Sequence, residues 1–213
     1  MDFNDPFDCR LTVNTRNSKR EILRFSNSLC DNFHITDEER KIVTHNFMNE
    51  RYRFEVANES IRDSVSKSGV SCFSKCNDSI LMWSHYSNSH KGYCVKFDLL
   101  QDPDFFMIPV VVEYHKKYPR FNQIRDHKNV FNNTFGHKYT DWSYEKEIRV
   151  VRQEQGNIKI KKEAIVEIIF GIDCDDKVIE SIKNLCKSNN YNHILLQKAR
   201  IQEFEFAINF SKI

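Results

Sequence analysis

The chain has 213 residues, a formal net charge of +2 at pH 7 and 13% aromatic residues. That length suits one domain, or a domain with a helical insertion, whose core needs no disulfide or metal staple. Five glycines and four prolines argue against a Gly-rich nucleotide-binding fold and against a disordered chain, and so mild a charge does not by itself point to a nucleic-acid binder.

No window of about 18 apolar residues is present, so no membrane span is expected. The acidic start, Met1 to Arg10, lacks the apolar stretch of a signal peptide. The chain is therefore expected in the cytoplasm. Seven cysteines, Cys9, Cys30, Cys72, Cys76, Cys94, Cys174 and Cys186, are odd in number and irregular in spacing. That predicts reduced thiols rather than a disulfide framework.

Along the chain, Asn4-Asp5-Pro6 reads as a turn, with Phe3 and Phe7 anchoring it. A helical segment follows over about 17–67, with neither Gly nor Pro from Asn17 to Ser66. Thr36 with Glu39 three residues later is a capping-box start, and Ile42, Val43, Phe47, Tyr52, Phe54 and Ile61 recur at helical spacing. A sheet-containing part occupies about 70–213. Val70 to Phe73 is a strand. Asp78 to Ser87 is a short helix capped by Asn77 or Asp78. Gly92 ends it, and Tyr93 to Phe97 is the next strand. Phe105 to Tyr114 reads as a strand buried on both faces, although Pro109 argues against a ladder there. Phe121 to Tyr139 is helical in part. Glu147 to Arg152, Ile158 to Ile160 and Ala164 to Phe170 read as strands. Asp175 to Ser188 is a helix striped by Val178, Ile179, Ile182 and Leu185. His193 to Gln197 and Phe204 to Phe210 close the chain. The expectation is one α+β domain with a mixed or mostly antiparallel sheet.

Five blocks in order carry a resemblance: FNDPFD at 3–8, CFS at 72–74, MWSHY at 82–86, HKGYCVKFD at 90–98 and DWSYEKEIRVV at 141–151. Together they resemble the bacterial family catalogued as domain of unknown function 2971, over nearly the whole chain. The resemblance implies a single domain of that kind over 1–213. It also implies a setting in abortive-infection phage defence, with which some members are associated, and it fixes no reaction. Members commonly carry a strand rich in Tyr and Arg before the NDPF block, and this chain begins almost at that block.

Two constellations carry candidate chemistry. In the first, Trp83, His85, Tyr86, His90 and Lys91 crowd into nine positions. Histidine as a residue type titrates near neutral pH, so His85 is a candidate general acid/base. Tyr86 would stack or donate, Trp83 would form an aromatic wall, and Lys91 would bind substrate. The plainer alternative makes Trp83 and Tyr86 core and His85 a satisfied buried histidine. In the second, Trp142 and Tyr144 lead into Glu145 and Glu147, which face one side if the chain there is extended. Two neighbouring carboxylates repel, which suits one of them to acid/base work. Arg149 continues the row and could hold one. The alternative is a surface Glu–Arg ladder of little energetic worth. Asn4 and Asp5 of the first block join the substrate-binding candidates.

Glu-x-Glu before a strand also resembles the catalytic loop of mono-ADP-ribosyltransferases. That resemblance implies NAD as substrate, Glu147 as the catalytic carboxylate, Glu145 as the residue orienting the acceptor, and His85 or Tyr86 as the NAD-holding group. The early Arg or His strand of those enzymes is not visible here.

Cys72, Cys76, His85, His90 and Cys94 are of zinc-ligand type, but their spacing lacks the knuckle turn and the Cys72 and Cys94 contexts are apolar, so no metal is expected. Lys116, Lys117, Arg120, Arg125, His127 and Lys128 interleave with Tyr114, Tyr118 and Phe121. They form either a nucleic-acid or nucleotide-phosphate surface or a solvated face. Two functions remain: an enzyme acting on a nucleotide, NAD-dependent or NAD-consuming, and a non-catalytic sensor or interaction module that recognises a phage-derived ligand or partner.

Overall fold

The computed structural model describes residues 5–107 and 109–213. Phe3, one of the two proposed anchors, and Asn4, a proposed ligand-binding residue, lie outside the described residues; Phe7, the other anchor, is 56% exposed and so is not held in the core. In chain order the elements are β1 (Thr12–Val13), α1 (Lys19–Asn32), α2 (Asp37–Met48), α3 (Glu50–Lys67), β2 (Gly69–Ser74), α4 (Ile80–Tyr86), β3 (Tyr93–Phe97), α5 (Pro103–Phe106), β4 (Pro109–Val111), β5 (Glu113–His115), β6 (Arg120–Phe121), α6 (Gln123–Asp126), α7 (Val130–Phe135), β7 (His137–Tyr139), β8 (Glu147–Arg152), β9 (Ile165–Phe170), α8 (Asp176–Ser188), β10 (Leu195–Ile201) and β11 (Ile208–Lys212). The fold is α+β, with helices gathered near the N-terminus. Among the described residues no helix is long and apolar enough to cross a membrane. All seven cysteines are free thiols.

The chain forms two compact units. Unit 1 comprises Met1–Val70, Val110–Thr140 and Val151–Gln155, and unit 2 comprises Ser71–Pro109, Asp141–Val150 and Gly156–Ile213.

In unit 1 the helical segment is broken into three by its own caps. Ser18 and Thr36 each close a capping box, with Glu21 and Glu39 respectively, and the Asn49 side chain accepts from the N–H groups of Arg51 and Tyr52. The buried faces meet at Ile22, Phe47 and Ile124, with Phe25, Leu29, Val43, Met48 and Tyr52 packed around them. Two small parallel ladders complete the unit: β1 with β6, and β5 with β7.

Glu21 does a second job at the start of α1. Its carboxylate accepts from Arg125 of α6 at 2.8 Å. The Arg125 guanidinium, then the Ser18 N–H and hydroxyl, hold the Glu21 carboxyl down at about 2, against an ordinary 4.5. A carboxyl lowered by folding stabilises above its unfolded value, and that contribution is lost as pH falls through the folded one. The wild-type urea midpoint should therefore drop relative to Glu21→Gln between pH 4.5 and 2. Parallel curves across that window would mean the Glu21–Arg125 contact is not populated in solution. The pair is solvent-exposed, so a small difference is expected.

Unit 2 is built on a four-stranded sheet of order β11-β10-β9-β3. β9 and β10 are parallel and joined through α8, while β3 and β11 run antiparallel at the two edges. β9 reads Ile-Val-Glu-Ile-Ile-Phe, a nearly continuous apolar run that suits a strand covered on both faces. Ile168 and Phe170 point to α8, where they meet Ile179 and Cys186. Ile169 points the other way, to Trp83 of α4, Ala199 and Ile208. A third apolar group joins Phe105, Phe106, Val150 and Ala164, with Phe73, Phe97, Ile158 and Ile160 around it.

Three readings of the sequence need correction here. Phe105 to Tyr114 is not one strand. Asp102 caps a turn of helix with Pro103 in its first position, where the missing N–H costs nothing. The two phenylalanines are therefore helical, and β4 runs from Pro109 to Val111. Ile158 to Ile160 forms no ladder. The alternation there reflects two isoleucines turned towards the Phe105–Phe106 group, while the Lys161 N–H goes to the Asp102 carboxylate at 2.8 Å. Finally, the last strand begins at Ile208, because the hairpin closes through Gln202 N–H to the Ala207 carbonyl at 3.0 Å. Phe204 and Phe206 lie in that turn, fully exposed.

α4 starts at Ile80, and its cap is Ser79 rather than Asn77 or Asp78. Beyond it Asn88, Ser89 and His90 turn through the left-handed region. The turn rests on the end of β9: the Gly171 N–H donates to the Gly92 carbonyl at 2.9 Å, and the Asp173 N–H to the His90 carbonyl at 3.1 Å. A Cβ on Gly171 would collide with that His90 carbonyl, so the approach requires glycine.

Candidate functional site

Within unit 2, α4 divides its residues by face. Trp83, 3% exposed, points into the core, and its indole N–H donates to the Asn77 carbonyl at 2.7 Å. Tyr86 lies on the outer face at 47% exposure, with His85 exposed beside it. The Tyr86 hydroxyl donates to Glu145 Oε1 at 2.5 Å. Glu145 is itself only 3% exposed. A half-exposed phenol thus reaches inward to a buried carboxylate contributed 59 residues later in the chain.

The backbone at Glu145 explains the reach. Thr140–Glu145 is a 3-10 turn, and Lys146 follows with φ of 45°. The corner is pinned by the end of β2. The Ser74 hydroxyl donates to the Glu145 carbonyl at 2.6 Å, and the Lys75 N–H to the Lys146 carbonyl at 3.0 Å. Ser74 also accepts from the Cys76 N–H at 3.2 Å. The expectation that Glu145 and Glu147 sit in one extended row therefore fails. The left-handed residue between them resets the register.

Glu147 and Arg149 do share a row, being two apart on β8. Arg149 Nε donates to Glu147 Oε1 at 2.8 Å and Nη2 to Oε2 at 3.1 Å, a fork-on-fork pairing. Glu147 is 4% exposed and Arg149 fully buried, so the surface-ladder alternative is excluded for this pair.

An aromatic string runs beside the Tyr86–Glu145 contact. The His85 ring lies 6.4 Å from Tyr86 and 6.0 Å from Tyr144, and Tyr144 lies 6.1 Å from Trp142. The structure thus brings His85, Tyr86, Trp142, Tyr144 and Glu145 together, with Glu147 and Arg149 on the adjoining strand. Trp83 is different: enclosed in the core, it offers a ligand almost no surface. Lys91 is exposed on the turn after α4, and none of the contacts described above joins it to the group. Asp5 belongs to unit 1. It is 3% exposed, and its Oδ1 accepts from the Phe7 N–H at 2.9 Å, closing the expected turn. Ser74 was not among the candidate site residues; its signal in the sequence was its place in the CFS block at 72–74.

Thiol chemistry finds little support. Burial pushes the Cys94, Cys174 and Cys186 thiols up, away from the thiolate that a nucleophile or metal ligand needs. Among the described residues, Cys72, Cys76, His85, His90 and Cys94 bring no three ligand atoms together.

Comparison with known proteins adds one finding. A family model described as a protein of unknown function (DUF2971) matches residues 82–150, about a third of the chain. The stretch takes in every candidate from Trp83 to Arg149. No curated protein and no solved structure matches the chain. Over residues 82–150 the chain is similar to the DUF2971 family of proteins of unknown function.

Proposed function

We propose that unit 2 holds an enzymatic site for a nucleotide, with NAD the substrate that the Glu-x-Glu resemblance implies. The Tyr86–Glu145 contact carries this reading. A proton can pass between a ligand on the exposed side of the phenol and a carboxylate held out of water, which is the arrangement general acid–base catalysis needs. The roles then differ from those of the sequence resemblance. Glu145 and Tyr86 are the reacting pair, His85 and Tyr144 offer rings against which a base can lie, and Glu147 with Arg149 positions the strand behind them. In a phage-defence setting, consuming a nucleotide would arrest the host.

A second reading has its own observation. The Glu147–Arg149 pair is bonded and buried, as a structural network would be. The site would then belong to an interaction module, with His85 and Tyr86 facing a partner.

Nicotinamide release from NAD by the purified protein, followed by HPLC, separates the two. The enzyme reading expects turnover, lowered by about 10²–10⁴-fold in Glu145→Gln and in Tyr86→Phe. A folded wild type that shows no turnover and binds no nucleotide would sink it in favour of the module. Loss in Glu147→Gln alone, with the fold intact, would return the reacting role to Glu147.

A further inference from the structure

Unit 1 contains a separate cluster. β5 and β7 run parallel with Glu113 opposite His137 and His115 opposite Tyr139. Glu113 and His115 are two apart on β5 and so share a face. His137, across from Glu113, falls on that face too. His115 Nε2 is 3.4 Å from Glu113 Oε2, and the two imidazole rings are 5.1 Å apart between centroids. One potential ligand atom from each of Glu113, His115 and His137 lies within 4.8 Å of the other two. His137 Nδ1 is buried with no hydrogen-bond partner, and an orphaned buried polar atom asks for an occupant.

The surroundings point to the occupant's company. Both histidines line a cavity of about 570 Å³, within the usual size for a small-molecule site. Arg10, Lys116, Lys117, Arg120 and Lys138 line it as well. Five cations around one cavity attract an anion with several charges.

We infer that Glu113, His115 and His137 bind a divalent transition-metal ion whose open coordination positions face this basic cavity and take an oxygen of a phosphate-bearing small molecule. Two imidazoles and one carboxylate are a common donor set for zinc and its neighbours, and three protein ligands leave positions open. Metal–ligand bonds of about 2.0–2.2 Å require the three atoms to draw in by roughly 1 Å. Glu113 and His115, at 69% and 43% side-chain exposure, have room to do so. The ion would neutralise the Glu113 charge and leave the cavity more positive, so metal and phosphate should help each other bind. The site shares no residue with Tyr86–Glu145, and the failure of either leaves the other standing.

The test is a Co²⁺ titration of the full chain followed by visible absorption. The expected result is one ion per chain, without the charge-transfer band that binding to the free thiols would give. Affinity should fall on the order of 100-fold in His115→Ala and His137→Ala, since even partners of a ligand matter 10–100-fold. His137 is half-buried, so circular dichroism of both variants accompanies the titration, and the more exposed His115 is the deciding position. No binding, a thiolate band, or unchanged affinity in a folded His115→Ala would overturn the metal site. Inorganic pyrophosphate should then bind at least about tenfold more tightly with the ion present, and less tightly in Arg120→Ala. Pyrophosphate affinity indifferent to the metal would overturn the joint site.

Discussion

Replacing Arg149 with Met should cost about 3–5 kcal/mol of stability, read as a drop in the urea midpoint, because it takes both guanidinium bonds from a buried carboxylate. Arg149 is fully buried and grips both oxygens of Glu147, itself 4% exposed. The double variant Glu147→Leu with Arg149→Met should recover much of the loss, since exchanging both members of a buried pair for apolar groups is often neutral or better. This outcome bears on function. A pair that can be deleted without harm to the fold is there for some other reason, and the double variant should then be stable yet inactive towards NAD, or blind to the partner. A single Arg149→Met variant that loses less than about 1 kcal/mol would mean that the pair is hydrated in solution.

The fold was legible where one local rule decided it. The Tyr93–Phe97 strand, the Thr36–Glu39 helix start and the helix after Asp175 follow from alternation and capping alone. The reading failed where two rules competed. Phe105 and Phe106 were apolar enough for a buried strand, but Asp102-Pro103 starts a helix more strongly than apolarity extends a chain. The Glu-x-Glu row depended on an extended backbone, and one left-handed residue, Lys146, removed it.

The site shows the same limit. The residue types of the 82–86 and 141–149 blocks marked both places as unusual, but nothing local says that Tyr86 reaches Glu145 rather than Glu147. That choice is made by Ser74 and Lys75, which hold the 145–146 corner from another strand. The Glu113–His115–His137 cluster was further out of reach. Glu-Tyr-His alternation was visible, but the third donor arrives only through the parallel pairing of β5 with β7, a non-local fact.

Trp83→Ala is expected to be the most damaging single change on α4, at about 3–5 kcal/mol. The ring is 3% exposed and belongs to a cluster with Ile169, Ala199 and Ile208, against which Cys94, Ile172 and Phe210 pack. α4 has only seven residues, too short to be stable by itself. Its position is set by this anchor, so losing the ring should also loosen Tyr86 from Glu145, and activity should fall with stability. Trp83→Phe should keep most of the packing and lose mainly the bond to the Asn77 carbonyl, about 1 kcal/mol. The chain has two tryptophans, so Trp142→Phe leaves Trp83 as the only indole. Its emission should be blue-shifted, shielded from acrylamide and unchanged by added nucleotide. Quenching by nucleotide would mean instead that Trp83 stacks on the ligand as a wall of the site, and that α4 moves outward to let it.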